Sequence, residues 1–182
     1  MTERKEFLRQ TALFNAIGAA FQRSLIYADG CVNDAKYQLK RDLEKHLRRI
    51  EPQYQGNVSS QKHLQTIANI AKEMSGKHAR ILKNGRLRVG ITQKAVNIYP
   101  KLLWCYGWIP EPPHCPIDSV VLAAIGDRRT KWTKMDDIED YHAVIKRIRA
   151  HIRQAGSVLS LSQWELDAWN NRRKQEETRV AQ

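Results

Sequence analysis

The sequence predicts an all-α protein, a single compact helical domain of about seven to eight helices, and three observations carry that expectation. Apolar residues return every three or four positions in segment after segment, which is the spacing of one buried helical face. Between the segments stand Gly, Pro, Asn and Ser where helices stop and start, and no stretch alternates as a half-buried strand does. At 182 residues, with 42% hydrophobic and 27% charged residues, the chain can close one sizeable core. No repeat, low-complexity tract or linker divides it.

The elements follow in order. Phe7, Leu8, Thr11, Phe14, Ile17, Phe21 and Leu25 form one apolar stripe that should be the buried face of a first helix, ending at Asp29-Gly30. Asn33 can cap a second helix, in which Leu39, Leu43, Leu47 and Ile50 recur before Pro52 and Gly56. Ser59 or Ser60 starts a third through Leu64, Ile67, Ala68, Ala71 and Met74, and a short helical turn carries Ala79 to Asn84. Thr92 is the expected cap of the next helix, with Ala95, Ile98, Leu102 and Leu103 aligned and Pro100 kinking it or ending its first half. Asp118 is placed to cap SVVLAAIG. Thr133-x-x-Asp136 resembles a capping box opening a long helix through Met135, Ile138, Tyr141, Ile145, Ile148 and Ile152. Ser162-x-x-Glu165 has the same pattern and opens a last helix with Leu166 and Trp169, followed by a polar tail over 172–182.

Charge narrows the partner. With 31 Lys+Arg against 19 Asp+Glu the formal net charge is +12, so a polyanion is the natural ligand. Between Glu73 and Glu111 no acidic residue occurs, while Lys77, Arg80, Lys83, Arg86, Arg88, Lys94 and Lys101 fall in that gap. A charge run is by default a solvated face, but here no local acid is available for i,i+4 pairing, and the field is left for an external anion to balance. Gly85, Val89-Gly90 and Thr92 put a tight turn before a helix start, where backbone N–H groups can hold a phosphate. The segment 77–94 is therefore read as a basic DNA-binding element, with Gly90, Thr92 and Lys101 adding to it. No apolar run approaches the roughly 20 residues that span a bilayer, so no membrane partner is expected. Cys31, Cys105 and Cys115 lack metal or disulfide spacing, which fits a reducing cytoplasm; a monomer without metal or cofactor is the expectation.

The stretch HLQTIANIAKEMSGKHARILKNGRLRVGITQKAVNIYP with the later PHCPIDSVVL resembles the helix-hairpin-helix DNA glycosylase superfamily. The likeness covers residues 60–126 and is one of order: Val89-Gly90 in a hairpin, Lys94 near the following helix start, then Pro116-Ile117-Asp118 opening another helix. Arg88 precedes Val89-Gly90 where the family usually has a glycine, and Lys94 lies four residues beyond. The four-cysteine spacing of the iron-sulfur members is missing, so no cluster is expected.

The resemblance implies excision of a damaged or modified base from DNA, in repair or in defence against phage. It makes Asp118, in the Pro-rich loop and capped helix of 112–126, the carboxylate that activates water or stabilises the cationic sugar. As plain structure, the same Asp118 is a helix cap. Lys94 either meets a phosphate or attacks the sugar carbon as an amine, which would add abasic-site lyase activity. Trp104 reads as core, whereas Tyr106, Trp108 and Trp132 are candidates to stack on an extruded base. His114 and Cys115 read as loop packing. The alternative is a non-catalytic nucleic-acid-binding protein using the same basic hairpin. A metal nuclease is disfavoured because Asp136, Asp137, Glu139 and Asp140 read as a helix start.

Overall fold

The computed structural model describes residues 2–22 and 25–180, with side chains along the last helix as far as Asn171. Seven α-helices occur among these residues: α1 (Glu3–Phe21), α2 (Asn33–Ile50), α3 (Ser60–His78), α4 (Val89–Cys105), α5 (Ser119–Ala124), α6 (Ile138–Gln154) and α7 (Leu161–Val180). Short 3₁₀ turns join them, and an isolated antiparallel bridge between Tyr27 and Leu82 is the one trace of sheet pairing among the described residues. No described helix is long and apolar enough to cross a membrane.

The core forms around α4. Its sequence VGITQKAVNIYPKLLWC contains no acid and is buried on every side from Val89 to Asn97, the signature of a helix enclosed by others. α1 packs on it most extensively, and α2, α3, α6 and the turn Trp132–Lys134 complete the enclosure. The helix runs unbroken past Pro100 to Cys105. It also starts earlier than the sequence predicts. Arg88 holds the cap position, and Thr92 lies buried in the first turn with its hydroxyl donating to the Arg88 carbonyl. Between α3 and α4 the chain turns through Lys83-Asn84-Gly85, with Asn84 at φ 58° and Gly85 at φ 70°, a left-handed pair that Asn and Gly tolerate best.

The face that α1 presents is not the expected stripe. Ile17 faces the core as its spacing implies, but Phe7, Phe14 and, beyond the helix end, Leu25 are 70%, 79% and 82% exposed, and Ala12, Leu13, Ala16 and Ala20 face the core in their place. Three alanines on that face let the backbone of α1 come close to α4, which a row of phenylalanines would prevent. Two more helix starts are displaced. The Thr133 region forms a 3₁₀ turn, and α6 begins only at Ile138 behind Asp137. At α7 the cap is Ser160, which accepts from the Gln163 N–H at 3.2 Å while Gln163 Oε1 accepts from the Ser160 N–H at 3.3 Å. Ser162 and Glu165 are buried within that helix. The backbone of 172–180 continues α7; the side chains of the predicted polar tail, and residues 181–182, lie outside the described residues.

A buried polar network ties α3, α4, α6 and the Pro-rich loop together. Tyr54 Oη stands 2.6 Å from His63 Nδ1, and His63 Nε2 stands 2.9 Å from Asn97 Oδ1. Asn97 Nδ2 donates to Tyr141 Oη at 3.1 Å, Tyr141 Oη lies 2.9 Å from His114 Nδ1, and His114 Nε2 lies 2.6 Å from Ser60 Oγ. Because Asn97 Oδ1 only accepts, His63 carries a proton on Nε2 and donates to it. Desolvation favours the neutral form of both imidazoles. Burial holds His63 down at about 4 and His114 at about 2.

A neutral buried histidine ties stability to pH. Each ring is depressed from its unfolded value near 6.5, so the unfolded chain binds more protons below that pH. The contribution is complete above pH 6.5 and declines as pH falls towards 4. By pH 5 the loss from His63 is about 2 kcal/mol. Denaturant midpoints measured between pH 7.5 and 4.5 should therefore fall with acid, and His63→Gln, which can keep both hydrogen bonds without titrating, should flatten that decline.

Candidate functional site

The Pro-rich loop is held against α4 by one side chain. Gln93 Oε1 accepts from the Ile117 N–H at 3.1 Å, and Gln93 Nε2 donates to the Ile117 carbonyl at 2.8 Å and to the Gly90 carbonyl at 3.0 Å. All three bonds are buried. Gln93 precedes Lys94 and Ile117 precedes Asp118, so this clamp sets the two candidate residues side by side. Lys94 Nζ donates to Asp118 Oδ2 at 3.3 Å. Asp118 Oδ1 accepts from the N–H groups of Val120 and Val121 at 2.8 and 3.2 Å, so the residue caps α5 with one oxygen and meets the ammonium with the other. The two readings of Asp118 coexist in one geometry.

Trp132 closes the third side. Lys94 Nζ stands 4.5 Å from the Trp132 ring centroid, within cation–π range. This approach depends on Gly90: a Cβ there would fall 1.8 Å from the Trp132 carbonyl oxygen, and the Gly90 N–H donates to the Met135 carbonyl at 3.0 Å. Lys94, Asp118 and Trp132 line a cavity of about 920 Å³, the upper part of the size range of small-molecule sites. Phe14 and Phe21 of α1 line the same cavity, as do Lys101 and Glu165, which are joined by an ion pair. Glu165 is 4% exposed, and its carboxyl is raised above the usual range, chiefly by burial.

The structure redistributes the other predicted residues. Gly90 and Thr92 are buried with their polar groups used internally, so neither can take a phosphate. The segment without acids is not left for external anions alone, because remote carboxylates reach it. Lys77 pairs with Asp42 at 2.8 Å, Arg86 and Arg88 with Asp136 at 2.8 and 3.4 Å, Lys94 with Asp118, and Lys101 with Glu165. Arg80 and Lys83 are exposed and have no carboxylate partner among the described residues. Lys83, Arg86, Arg88 and Lys134 ring a cleft of about 330 Å³ floored by Ile26, Leu87 and Ile91. The turn Trp132–Lys134 contributes to both this cleft and the larger cavity, giving Trp132 to the cavity and Thr133 and Lys134 to the cleft.

Tyr106 and Trp108 are not part of the cavity wall. Their rings lie 5.2 Å apart beyond the C-terminal end of α4, where Lys5 and Arg9 stand over Trp108. His114 is a buried member of the polar network, and Cys115 is fully buried with its thiol pushed up by desolvation. Among the described residues no three His, Cys, Asp or Glu side chains gather closely enough to hold a metal ion. Phe14, Phe21 and Glu165 were not candidates on sequence grounds; reading Ser160-x-x-Gln163 as the cap would have put Leu161, Ser162 and Glu165 on the inward face.

No family model matches the chain, and neither a curated protein nor a solved structure does.

The clamp has a measurable weight. In Gln93→Leu four buried hydrogen bonds disappear, one of them from Asn97 Nδ2, and the Ile117 N–H and carbonyl are left without partners, a cost of about 3 kcal/mol. Denaturant unfolding should show that loss. Hydrogen exchange should rise more at the Ile117, Val120 and Val121 amides than in α2. Uniform exchange changes would place the clamp's effect elsewhere.

Proposed function

We propose that this chain is a DNA glycosylase that excises a damaged or modified base, with Asp118 and Lys94 at the reacting sugar. One observation carries the reading: an ammonium and a carboxylate meet in the wall of a cavity whose third side is an indole. A base must leave the duplex to be excised, and an extruded base needs an aromatic face and an enclosed space. Trp132, with Phe14 and Phe21, supplies the aromatic lining of a cavity that is open on the Phe14 side and has room for a base. As the base departs, positive charge develops on the sugar. Asp118 faces it with a carboxylate that two backbone amides hold in place, and accepts a proton from the attacking water. Lys94 is within reach of the same sugar carbon and, as a free amine, would form a Schiff base that leads to strand cleavage. Repair and antiviral defence both use this reaction.

The DNA backbone is assigned to the cleft beside the cavity. Its four cations face one carboxylate, Asp136, and the shared turn Trp132–Lys134 puts phosphate contacts next to base capture. A chain that only binds nucleic acid would use the cleft equally well, but that reading leaves the Lys94–Asp118 pair a purely structural role.

Affinity for a duplex should fall steeply with salt. Arg86 and Arg88 already have an internal partner, so the sensitive pair is Lys83 and Lys134. Changing both to Gln should reduce the log–log salt slope by about 2, as read by fluorescence anisotropy between low and physiological salt. An unchanged slope would move the phosphate path off this cleft.

Catalysis is tested at Asp118. Asn caps a helix about as well as Asp, so Asp118→Asn should fold and bind DNA as before while base release slows by roughly 10²–10⁴-fold. The assay is abasic-site formation on a panel of duplexes carrying damaged and hypermodified bases. Borohydride should trap a protein–DNA adduct on abasic DNA that Lys94→Gln abolishes. Base release unaffected in Asp118→Asn would refute the mechanism.

A further inference from the structure

The cavity contains a second carboxylate. Lys94 and Lys101 stand seven residues apart on α4, two turns along one face and about 10 Å along the axis. Each meets an acid from another part of the chain: Asp118 from the loop, Glu165 from α7. The separation is comparable to the length of a nucleoside. A nucleoside with its sugar at Lys94 and Asp118 and its base directed along α4 brings the outer edge of the base to Lys101 and Glu165.

The two acids differ in setting. Asp118 is partly exposed, with two amides and an ammonium around it. Glu165 is almost wholly buried and holds one strong contact, to Lys101 Nζ. Its surroundings favour the protonated form through burial and the nearby charge of Asp118, against Lys101 and Lys94. The other titratable groups facing it are the Cys105 and Cys115 thiols, both pushed up by desolvation, and Lys40 on the cavity wall. Two carboxyl groups in one cavity, one partly exposed and held by backbone amides and the other withdrawn from water, are the usual arrangement for paired acid and base work.

We infer that Glu165 is the general acid of base release, handing a proton to the departing base at the Lys101 end of the cavity while Asp118 takes one from the attacking water. This rests on the glycosylase reading above. The C1′–N bond breaks and its electron pair passes to the base, which gains one proton from the Glu165 carboxyl group. A C1′–O bond forms from water, whose proton goes to Asp118. Solvent then returns a proton to Glu165 and removes one from Asp118, so the cycle closes with water as the only co-reactant. As a purely structural residue, Glu165 would anchor α7 on α4 and nothing more.

The test measures single-turnover base release against pH on a duplex that the wild-type chain processes. It is repeated with the same base carrying an electron-withdrawing substituent, which leaves without protonation. Wild-type release should decline as pH rises through the loss of the Glu165 proton. In Glu165→Gln that decline should vanish and release should drop about 100-fold or more, while the activated base loses less than about 10-fold. Lys101→Met removes the cation beside Glu165, so the decline should move to higher pH. That variant decides the matter if circular dichroism shows Glu165→Gln to be unfolded: an unmoved decline overturns the inference. So does an equal loss on both bases with the decline intact, which is the anchor's signature. Asp118→Asn inactive with Glu165→Gln unaffected removes the inference alone. A wild-type chain that releases no base from any duplex removes the glycosylase reading and the inference with it.

Discussion

The site depends on the two-way hydrogen bond between Gln93 and Ile117. A side-chain amide has one donor end and one acceptor end, and here each reaches the backbone of the same residue in a loop 24 positions away. The loop contains Pro112, Pro113 and Pro116, which cannot donate and leave few backbone N–H groups with which to anchor it. The Ile117 amide is one of those few. Because Gln93 and Ile117 each sit one position before the residue that matters, fixing the first pair fixes the second. Lys94 and Asp118 are partners only as long as the clamp holds.

A helix enclosed on all sides makes such a clamp strong. α4 buries Thr92, Gln93, Lys94 and Asn97 along with its apolar residues, and every one of these polar side chains has a partner. In a low-dielectric interior an unpaired polar group is costly, so the network of Tyr54, His63, Asn97, Tyr141, His114 and Ser60 restricts the loop to one position. Ser162 adds to this by donating to the carbonyls of Pro112 and His114. The loop is therefore held from α3, α4, α6 and α7 together.

Much of the fold is legible in the sequence, because helical periodicity is a local signal. Leu39, Leu43, Leu47 and Ile50 are inward as their spacing implies, and so are Tyr141, Ile145, Ile148 and Ile152. The first helix misleads for a physical reason: its large residues outnumber its alanines in any hydrophobicity count, but close packing on α4 selects the small face. Helix starts are misread where two capping patterns overlap, as with Ser160-x-x-Gln163 and Ser162-x-x-Glu165. Asp118 is readable as a cap from its place before SVVLAAIG, yet its meeting with Lys94 is a tertiary fact. Glu165 is harder still, since its pattern has a complete local explanation that the structure replaces.

Charge shows the same limit with more consequence. A stretch of 37 residues free of acids reads as an unbalanced field, and in three dimensions Asp42, Asp118, Asp136 and Glu165 answer five of its seven cations. Salt bridges of this kind do different things according to depth. That of Arg86 is exposed, contributes little, and can be exchanged for a phosphate, whereas Lys77 answers the buried carboxylate of Asp42. Those of Lys94 and Lys101 are largely withdrawn from water, where breaking a pair costs far more than it would at the surface. An anionic polymer can therefore compete for the outer cations without disturbing the inner ones. The chain thus separates a surface that exchanges partners from a cavity whose ion pairs are shielded from water, and the turn Trp132–Lys134 contributes residues to both.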